Sequence, residues 1–222
     1  MASRKSWLIA SVVVAVLVYA GMWVGYVQNW PWLDAADTRL LQTFHTIGAT
    51  RPGWVSFWVV FCSAFGPSGF RLIALVFVIV ALVRRKVATA LFLVVSVGLM
   101  GVLTEGAKFI AGRPRPATAL VYGWGTSFPS GHALGAMVGV LALLTVLWPS
   151  LTPRWRTALA VLGGVLVVLV GSARVVLNVH HPSDVLAGWA LGYLYYLLCM
   201  RLVAPRGITA TAERRATPGS AQ

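Results

Sequence analysis

Residues 87–111 read VATALFLVVSVGLMGVLTEGAKFIA, and the first charged side chain in this run is Glu105. An α-helix needs about 20 consecutive apolar residues to cross the hydrocarbon core of a bilayer. The run therefore predicts a membrane-spanning helix. Pro114 and Pro116 follow it and are predicted to end it, because proline cannot continue a helix.

Similar apolar runs lie on both sides of this one, at roughly residues 7–26, 68–83, 130–148, 156–177 and 182–203. Between the first two, residues 28–53 are more polar and carry apolar side chains at helical spacing, which predicts an amphipathic helix on the outer interface. Residues 54–65 are apolar but too short for a span, and they are predicted to be partly embedded. The predicted fold class is an all-α polytopic membrane protein with six transmembrane helices and this amphipathic segment.

The domain organisation follows from the same pattern. Residues 1–203 are predicted to form one membrane domain, and residues 204–222 a disordered cytoplasmic tail. The first run has a weak resemblance to a cleavable signal peptide around residues 18–20, but it stays apolar beyond that point. An uncleaved anchor is therefore favoured.

The overall composition agrees with a chain dissolved mostly in lipid. Hydrophobic residues make up 59% of it and charged residues only 10%, against about 25% charged in a soluble domain. The formal net charge is +13, which in a soluble protein would suggest nucleic acid. Here the cations are interpreted mainly as topology signals, and no nucleic-acid partner is predicted. Cys62 and Cys199 lie far apart in apolar segments and predict neither a disulfide nor a metal site.

Six spans place both termini on one side, and the excess of Lys and Arg in the loops on that side identifies it as the cytoplasm. Two segments, residues 108–132 and 174–184, contain both cations and histidines but fall on the opposite side. They violate the positive-inside rule locally, so another cause is needed.

The first of these segments begins with Lys108 near the end of the third span, followed by Arg115. Cations at the edge of hydrocarbon usually have a partner. Glu105, one turn below Lys108, is one candidate; a phosphate would suit the whole set, because a guanidinium binds its oxygens through a planar fork. Taken alone, the pair could equally be a snorkelling interface cluster.

The start of the fourth span reads Ser130-Gly131-His132. The first N–H groups of a helix are free, and a glycine there lets an anion approach the backbone. Ser130 could donate its hydroxyl, and His132 points into the same mouth. The alternative is an ordinary helix cap followed by a histidine with structural contacts.

Arg174, His180 and Asp184 form the third element, with Pro182 at the first position of the next helix. A carboxylate in that first turn can hold one imidazole nitrogen and leave the other free as a nucleophile. Two histidines and an aspartate could also bind a metal. The nearby cations favour an anion instead, so no metal and no cofactor are predicted.

Together these segments resemble the type 2 phosphatidic acid phosphatase (PAP2) superfamily, whose pattern is Lys-x6-Arg-Pro, then Pro-Ser-Gly-His, then Ser-Arg-x5-His-x3-Asp. The chain matches it at every position but one: the serine before Arg174 is Ala173, which predicts a missing hydrogen bond to that arginine. The resemblance implies His180 as nucleophile and His132 as general acid, with Asp184 orienting His180. Phosphate would be held by Lys108, Arg115, Ser130, Gly131 and Arg174.

The implied function is a metal-independent lipid phosphatase in a bacterial cytoplasmic membrane, with its site on the extracytoplasmic face and its substrate drawn from the bilayer. Undecaprenyl diphosphate is favoured on family likeness alone; phosphatidylglycerophosphate, phosphatidate and diacylglycerol pyrophosphate stay open. A non-catalytic lipid-phosphate carrier, a phosphatase for soluble esters and a vanadium haloperoxidase are less favoured alternatives.

Overall fold

The computed structural model describes residues 2–205, apart from the side chains of residues 2–4, and in that range the chain is helical without a β-strand. The predicted tail, residues 204–222, lies almost wholly outside the described residues. The helices are α1 (Ala2–Val27), α2 (Pro31–Ala49), α3 (Pro52–Phe65), α4 (Pro67–Val83), α5 (Val87–Leu93), α6 (Met100–Ala111), α7 (Gly131–Leu147), α8 (Pro153–Val176) and α9 (Pro182–Val203). A π-helical turn, Val94–Gly98, joins α5 to α6.

Six stretches of the described chain are long and apolar enough to cross a membrane, as predicted. Five of them match the predicted runs closely. The second differs, because α3 and α4 together form one stretch, Pro52–Val83, of 32 residues. The sequence suggests a separate embedded segment followed by a span, since Gly66-Pro67 interrupts the apolar pattern. A straight helix of that length would measure about 48 Å, well beyond a hydrocarbon core of about 30 Å.

Helix α7 is the centre of the bundle and packs against α4, α8 and α9. Glycines allow the backbones of α7 and α9 to approach closely: a Cβ on Gly188 would lie 2.6 Å from the carbonyl oxygen of Ser130, and one on Gly192 would lie 2.8 Å from that of Leu134. Consequently the amide of Ser130 donates to the carbonyl of Asp184 at 2.9 Å. The start of α7 and the start of α9 are thereby fixed against each other.

The π-helical turn also ties helices together. Widening a helix by one residue frees a backbone carbonyl, and the carbonyl of Val95 in this turn accepts a hydrogen bond from the hydroxyl of Tyr195 at 2.6 Å. Helix α1 lies along α9, where the hydroxyls of Ser11 and Tyr193 are 2.8 Å apart. Helix α2 lies over the end of the bundle where α7 and α9 begin, with contacts to both α8 and α9.

Candidate active site

The three predicted segments meet at one end of the bundle. Helices α6 and α8 end there, and α7 and α9 begin there. His132, in the first turn of α7, lies near four titratable side chains that are all predicted site residues: Arg174, His180, Lys108 and Arg115. The two histidines therefore lie in one cationic cluster with Lys108, Arg115 and Arg174.

His180 is held in the short loop between α8 and α9. Asn178 adopts a left-handed conformation with φ of 54°, which turns the chain back so that the amide of His180 donates to the carbonyl of Arg174 at 3.3 Å. The imidazole is 2% exposed. Its Nδ1 lies 3.5 Å from Oδ2 of Asp184, an ion-pair distance longer than a formed hydrogen bond, and no other acceptor contacts this buried nitrogen. Such contacts often tighten only when substrate binds.

Arg115 lies in front of the other nitrogen of His180. Its Nη1 is 3.2 Å from Nε2 of His180 and donates to the carbonyl of Val179 at 2.7 Å. The remaining donors reach the carbonyls of Gly125 and Trp124. If Nε2 acts as the nucleophile, as predicted from the sequence, its lone pair must be free and this donor of Arg115 must bind another acceptor. Burial and the neighbouring charge of Arg174 lower the pKa of Arg115.

Arg174 is the least satisfied charge in the cluster. Its Nε is buried without a hydrogen-bond partner, and among the described residues no carboxylate forms an ion pair with it. Its polar neighbour is the thiol of Cys62 on α3. Ala173 is fully buried in one apolar cluster with Cys62, and the loss of a hydrogen bond at this position stays a prediction. A partly buried guanidinium with an unsatisfied Nε and no acidic partner is costly, and this favours an anion as its partner.

The start of α7 has the free amides of a helix N-terminus. Ser130 is fully buried and caps the helix, its Oγ accepting from the amide of Ala133 at 3.5 Å. This is the ordinary helix cap that the sequence analysis gives as the alternative to an anion site. Donation from the Ser130 hydroxyl to a phosphate stays a prediction. His132 packs against the bend between α3 and α4: a Cβ on Gly66 would lie 2.9 Å from its Cδ2. A side chain at position 66 would displace this imidazole.

Lys108 pairs with the acid proposed from sequence. Its Nζ lies 3.1 Å from Oε1 of Glu105. The Glu105 side chain is 73% exposed whereas that of Lys108 is 12% exposed, so the pair is weak and screened. Lys108 can therefore leave Glu105 for a phosphate without a large cost.

Comparison with known proteins places this arrangement in a family. The sequence profile described as the PAP2 superfamily matches residues 89–208, more than half of the chain and all three motif segments. The chain belongs to the PAP2 superfamily. The site described above is thus the PAP2 motif set brought together at one end of a helical bundle.

Individual relatives are also named as lipid phosphatases, but their names refer to different lipids. The chain is 35% identical over 117 residues to phosphatidylglycerophosphatase B of Bacillus subtilis. It is 36% identical over 116 residues to an undecaprenyl-diphosphatase of Sulfolobus acidocaldarius. These matches cover 51% and 49% of this chain, and 58% and 52% of the relatives, so the chain spans little more than half of their length.

A solved PAP2 structure has the same fold. The crystal structure of a transmembrane PAP2-type phosphatidylglycerolphosphate phosphatase from Bacillus subtilis superposes with a TM-score of 0.71, covering 93% of this chain and 96% of that one at 24% identity. The likeness extends over the whole described bundle, including the helices before residue 89 that the profile does not reach.

Sequence reasoning missed a buried polar network behind the PAP2 motif residues. Arg113 forms ion pairs with Asp184 at 2.7 Å and with Asp37 of α2 at 2.9 Å. Ser183 hydrogen-bonds both Asp37 and Arg113. One signal was available: Asp37 lies midway between Leu33 and Leu41 on the buried face of α2, where a carboxylate needs a partner.

Metal ligands are a separate question, because His180, His181 and Asp184 could be considered as a set. Within residues 2–205 no group of three or more His, Cys, Asp or Glu side chains is arranged to hold an ion. Oδ2 of Asp184 instead accepts from the amide of His181 at 2.8 Å and faces its Nδ1 at 3.2 Å. These contacts cap α9.

The charge state of His180 gives the first prediction. Burial lowers the pKa of His180 to about 4; Asp184 raises it, and Arg174 and Arg115 lower it. A lowered pKa keeps the ring neutral at every pH above about 4, which is the form a nucleophile requires. In NMR spectra of the ¹³C-histidine-labelled protein, the signal lost in His180→Gln is expected not to titrate between pH 5.5 and 8. A midpoint near the ordinary value of about 6.5 would contradict this.

Proposed function

We propose that this protein is a metal-independent lipid phosphatase that removes a terminal phosphate through a phosphohistidine on His180. The observation that carries the proposal is Arg174, whose buried Nε has no hydrogen-bond partner and which pairs with no carboxylate among the described residues, beside His132 and His180. A phosphate would supply the missing negative charge and accept from the free donors. The PAP2 family and the phosphatase names of its relatives support the same reaction.

The reaction has two balanced steps. Nε2 of His180 attacks phosphorus while the bond from phosphorus to the leaving oxygen breaks, and His132 protonates that oxygen. A water then attacks phosphorus of the phosphohistidine, and His132 takes a proton from this water. The P–N bond breaks, inorganic phosphate leaves, and neutral His180 is regenerated. Arg115, Arg174, Lys108 and the amides at the start of α7 stabilise the charge on the phosphoryl oxygens in both steps.

The surface beside the site supports a lipid substrate. Phe109 and Ile110 follow Lys108 on α6 and are 89% and 67% exposed. In a helix that crosses a bilayer, such apolar side chains face lipid. An acyl or prenyl tail can therefore stay in the hydrocarbon while its phosphate reaches Lys108. We further propose that this end of the bundle faces the outside of a bacterial cytoplasmic membrane, in accordance with the charge distribution of the loops.

The head group is the finer part of the proposal. Undecaprenyl diphosphate is the substrate that we favour, on the strength of the Sulfolobus relative's name; the name of the Bacillus relative supports phosphatidylglycerophosphate equally well. Both present a terminal phosphate on an apolar tail. In the proposed mechanism the cationic groups bind only phosphate oxygens, so they would serve either lipid.

A substrate panel tests the function. Purified protein is assayed for inorganic phosphate with undecaprenyl diphosphate, phosphatidylglycerophosphate, phosphatidate, diacylglycerol pyrophosphate and para-nitrophenyl phosphate, with and without EDTA. We expect at least one lipid to be hydrolysed, the soluble ester to be a poor substrate, and EDTA to leave the rate unchanged.

Three outcomes would contradict the proposal. Lipid binding without phosphate release would indicate a carrier. Preference for the soluble ester would exclude a lipid-directed site. Loss of activity in EDTA, restored by a divalent ion, would show that a metal takes part.

A further inference from the structure

Helix α2 carries a carboxylate where an apolar side chain would be expected. Its buried face includes Leu33, Asp37 and Leu41 at a spacing of four residues, the repeat of one helix face. Asp37 is 1% exposed. A charge there is costly unless it is paired and hydrogen-bonded, so Asp37 has to contribute something that a leucine could not.

Every partner of Asp37 lies at the start of α9 or just after α6. Its Oδ1 accepts from the amide of Ser183 at 3.0 Å. Its Oδ2 accepts from the hydroxyl of Ser183 at 2.5 Å and from Nη2 of Arg113 at 2.9 Å. Asp37 thus joins α2 to the residue next to Asp184 and to the arginine that pairs with Asp184.

Arg113 lies between the two carboxylates and divides its donors between them. While Nη2 donates to Asp37, Nη1 donates to Oδ1 of Asp184 at 2.7 Å. The guanidinium also lies 4.8 Å from the ring centre of Tyr26. Because Arg113 takes Oδ1 of Asp184, only Oδ2 is left for the histidines, and Oδ2 is the oxygen 3.5 Å from Nδ1 of His180.

The charges of this triad do not cancel. Two carboxylates and one guanidinium leave one net negative charge behind His180. If Asp37 were neutral, the full charge of Arg113 would act on Asp184 alone, and the pair would be neutral where it faces the imidazole. The positive charge that develops on His180 as phosphorus bonds to Nε2 would then lack its counter-charge.

We propose that Asp37 and Arg113 are positioning residues for the nucleophile: they fix Asp184 through Oδ1, and Asp37 offsets the charge of Arg113 so that Asp184 acts on His180. This inference rests on the proposed phosphatase function. It adds α2, which lies outside the PAP2 motif segments, to the machinery of the reaction. Asp37, Arg113 and Asp184 do not belong to the cationic cluster around His132 and His180, so they affect the rate of phosphoryl transfer without affecting substrate binding.

The test is Asp37→Asn, which keeps the shape of the side chain and removes its charge. With the lipid that the wild type hydrolyses, kcat and the single-turnover rate of phosphohistidine formation are expected to fall about tenfold to hundredfold, the range found for groups that orient a metal-bound histidine. KM is expected to stay within about twofold. The matched control is Asp34→Asn, on the same helix but exposed, which should leave both constants unchanged.

A second variant covers the case in which Asp37→Asn does not fold. Ser183→Ala removes the hydroxyl that hydrogen-bonds both Asp37 and Arg113, and it leaves the charges and the direct ion pair in place. A fall in kcat at constant KM is again expected, smaller than for Asp37→Asn. Wild-type kcat in a folded Asp37→Asn, or in Ser183→Ala where the first variant does not fold, would overturn the inference, as would a rise in KM with unchanged kcat. Failure of the wild type to release phosphate would instead overturn the proposed function and this inference with it.

Discussion

Replacing His180 by alanine is expected to lower kcat for lipid-phosphate hydrolysis by about 10⁴-fold or more, the loss seen when the nucleophile of a concerted group is removed. The imidazole is 2% exposed, and its Nε2 faces Arg115 across 3.2 Å. Among the described residues, no other imidazole nitrogen lies at this position, so no neighbouring side chain can replace His180 as the attacking group. The measurement is inorganic phosphate released by purified protein.

The matched control is His45→Ala. His45 lies on α2 and its Nδ1 contacts the carbonyl of Thr118 at 3.0 Å, outside the cationic cluster. It should keep kcat within a few-fold of the wild type. In a quenched single turnover, the wild type is expected to carry an acid-labile phosphate that His180→Ala lacks. Turnover of the His180→Ala protein within tenfold of the wild type would eliminate His180 as the nucleophile.

The sequence was sufficient for the spans because their signal is local. An apolar run near 20 residues has few alternatives to a membrane helix, and Pro153 and Pro182 mark the first positions of α8 and α9. The interruption of the apolar pattern at Gly66-Pro67 predicts two separate segments. Hydropathy carries no information that α3 and α4 follow one another as a single apolar stretch, or that the bend between them packs against His132.

The candidate site was predictable to the extent that its groups occur in recognisable order along the chain. The partners of those groups were not. Arg115 donates hydrogen bonds to loop carbonyls. Every residue has a backbone carbonyl, so the sequence does not indicate which carbonyls accept. The pairing of Asp37 with Arg113 joins residues 76 positions apart. The position of Asp37 on an apolar helix face indicates that its carboxylate needs a buried partner, but it does not identify Arg113 as that partner.

Arg174→Met is expected to separate activity from stability. Methionine fills a similar volume without charge, so the phosphoryl oxygens lose the guanidinium proposed to bind them. The kcat should fall about 10³–10⁵-fold, as when an arginine that contacts a transferring phosphoryl group is removed. The folded protein should become more stable, because Nε of Arg174 is buried without a hydrogen-bond partner and no carboxylate among the described residues pairs with the side chain. A gain of about 1 kcal/mol or more corresponds to roughly 2–4 °C in Tm for a chain of this size.

The measurement is thermal unfolding of detergent-solubilised protein, with and without inorganic phosphate. Phosphate binds only the folded site and should raise the Tm of the wild type, but not that of Arg174→Met. Arg39→Met, at an exposed position on α2, controls for the loss of one positive charge and should keep both activity and the response to phosphate. A lower Tm for Arg174→Met would mean that the guanidinium already has a stabilising partner in the free protein. The missing anion would then not be the substrate's phosphate, and the strongest reason for assigning a phosphate site to this end of the bundle would be lost.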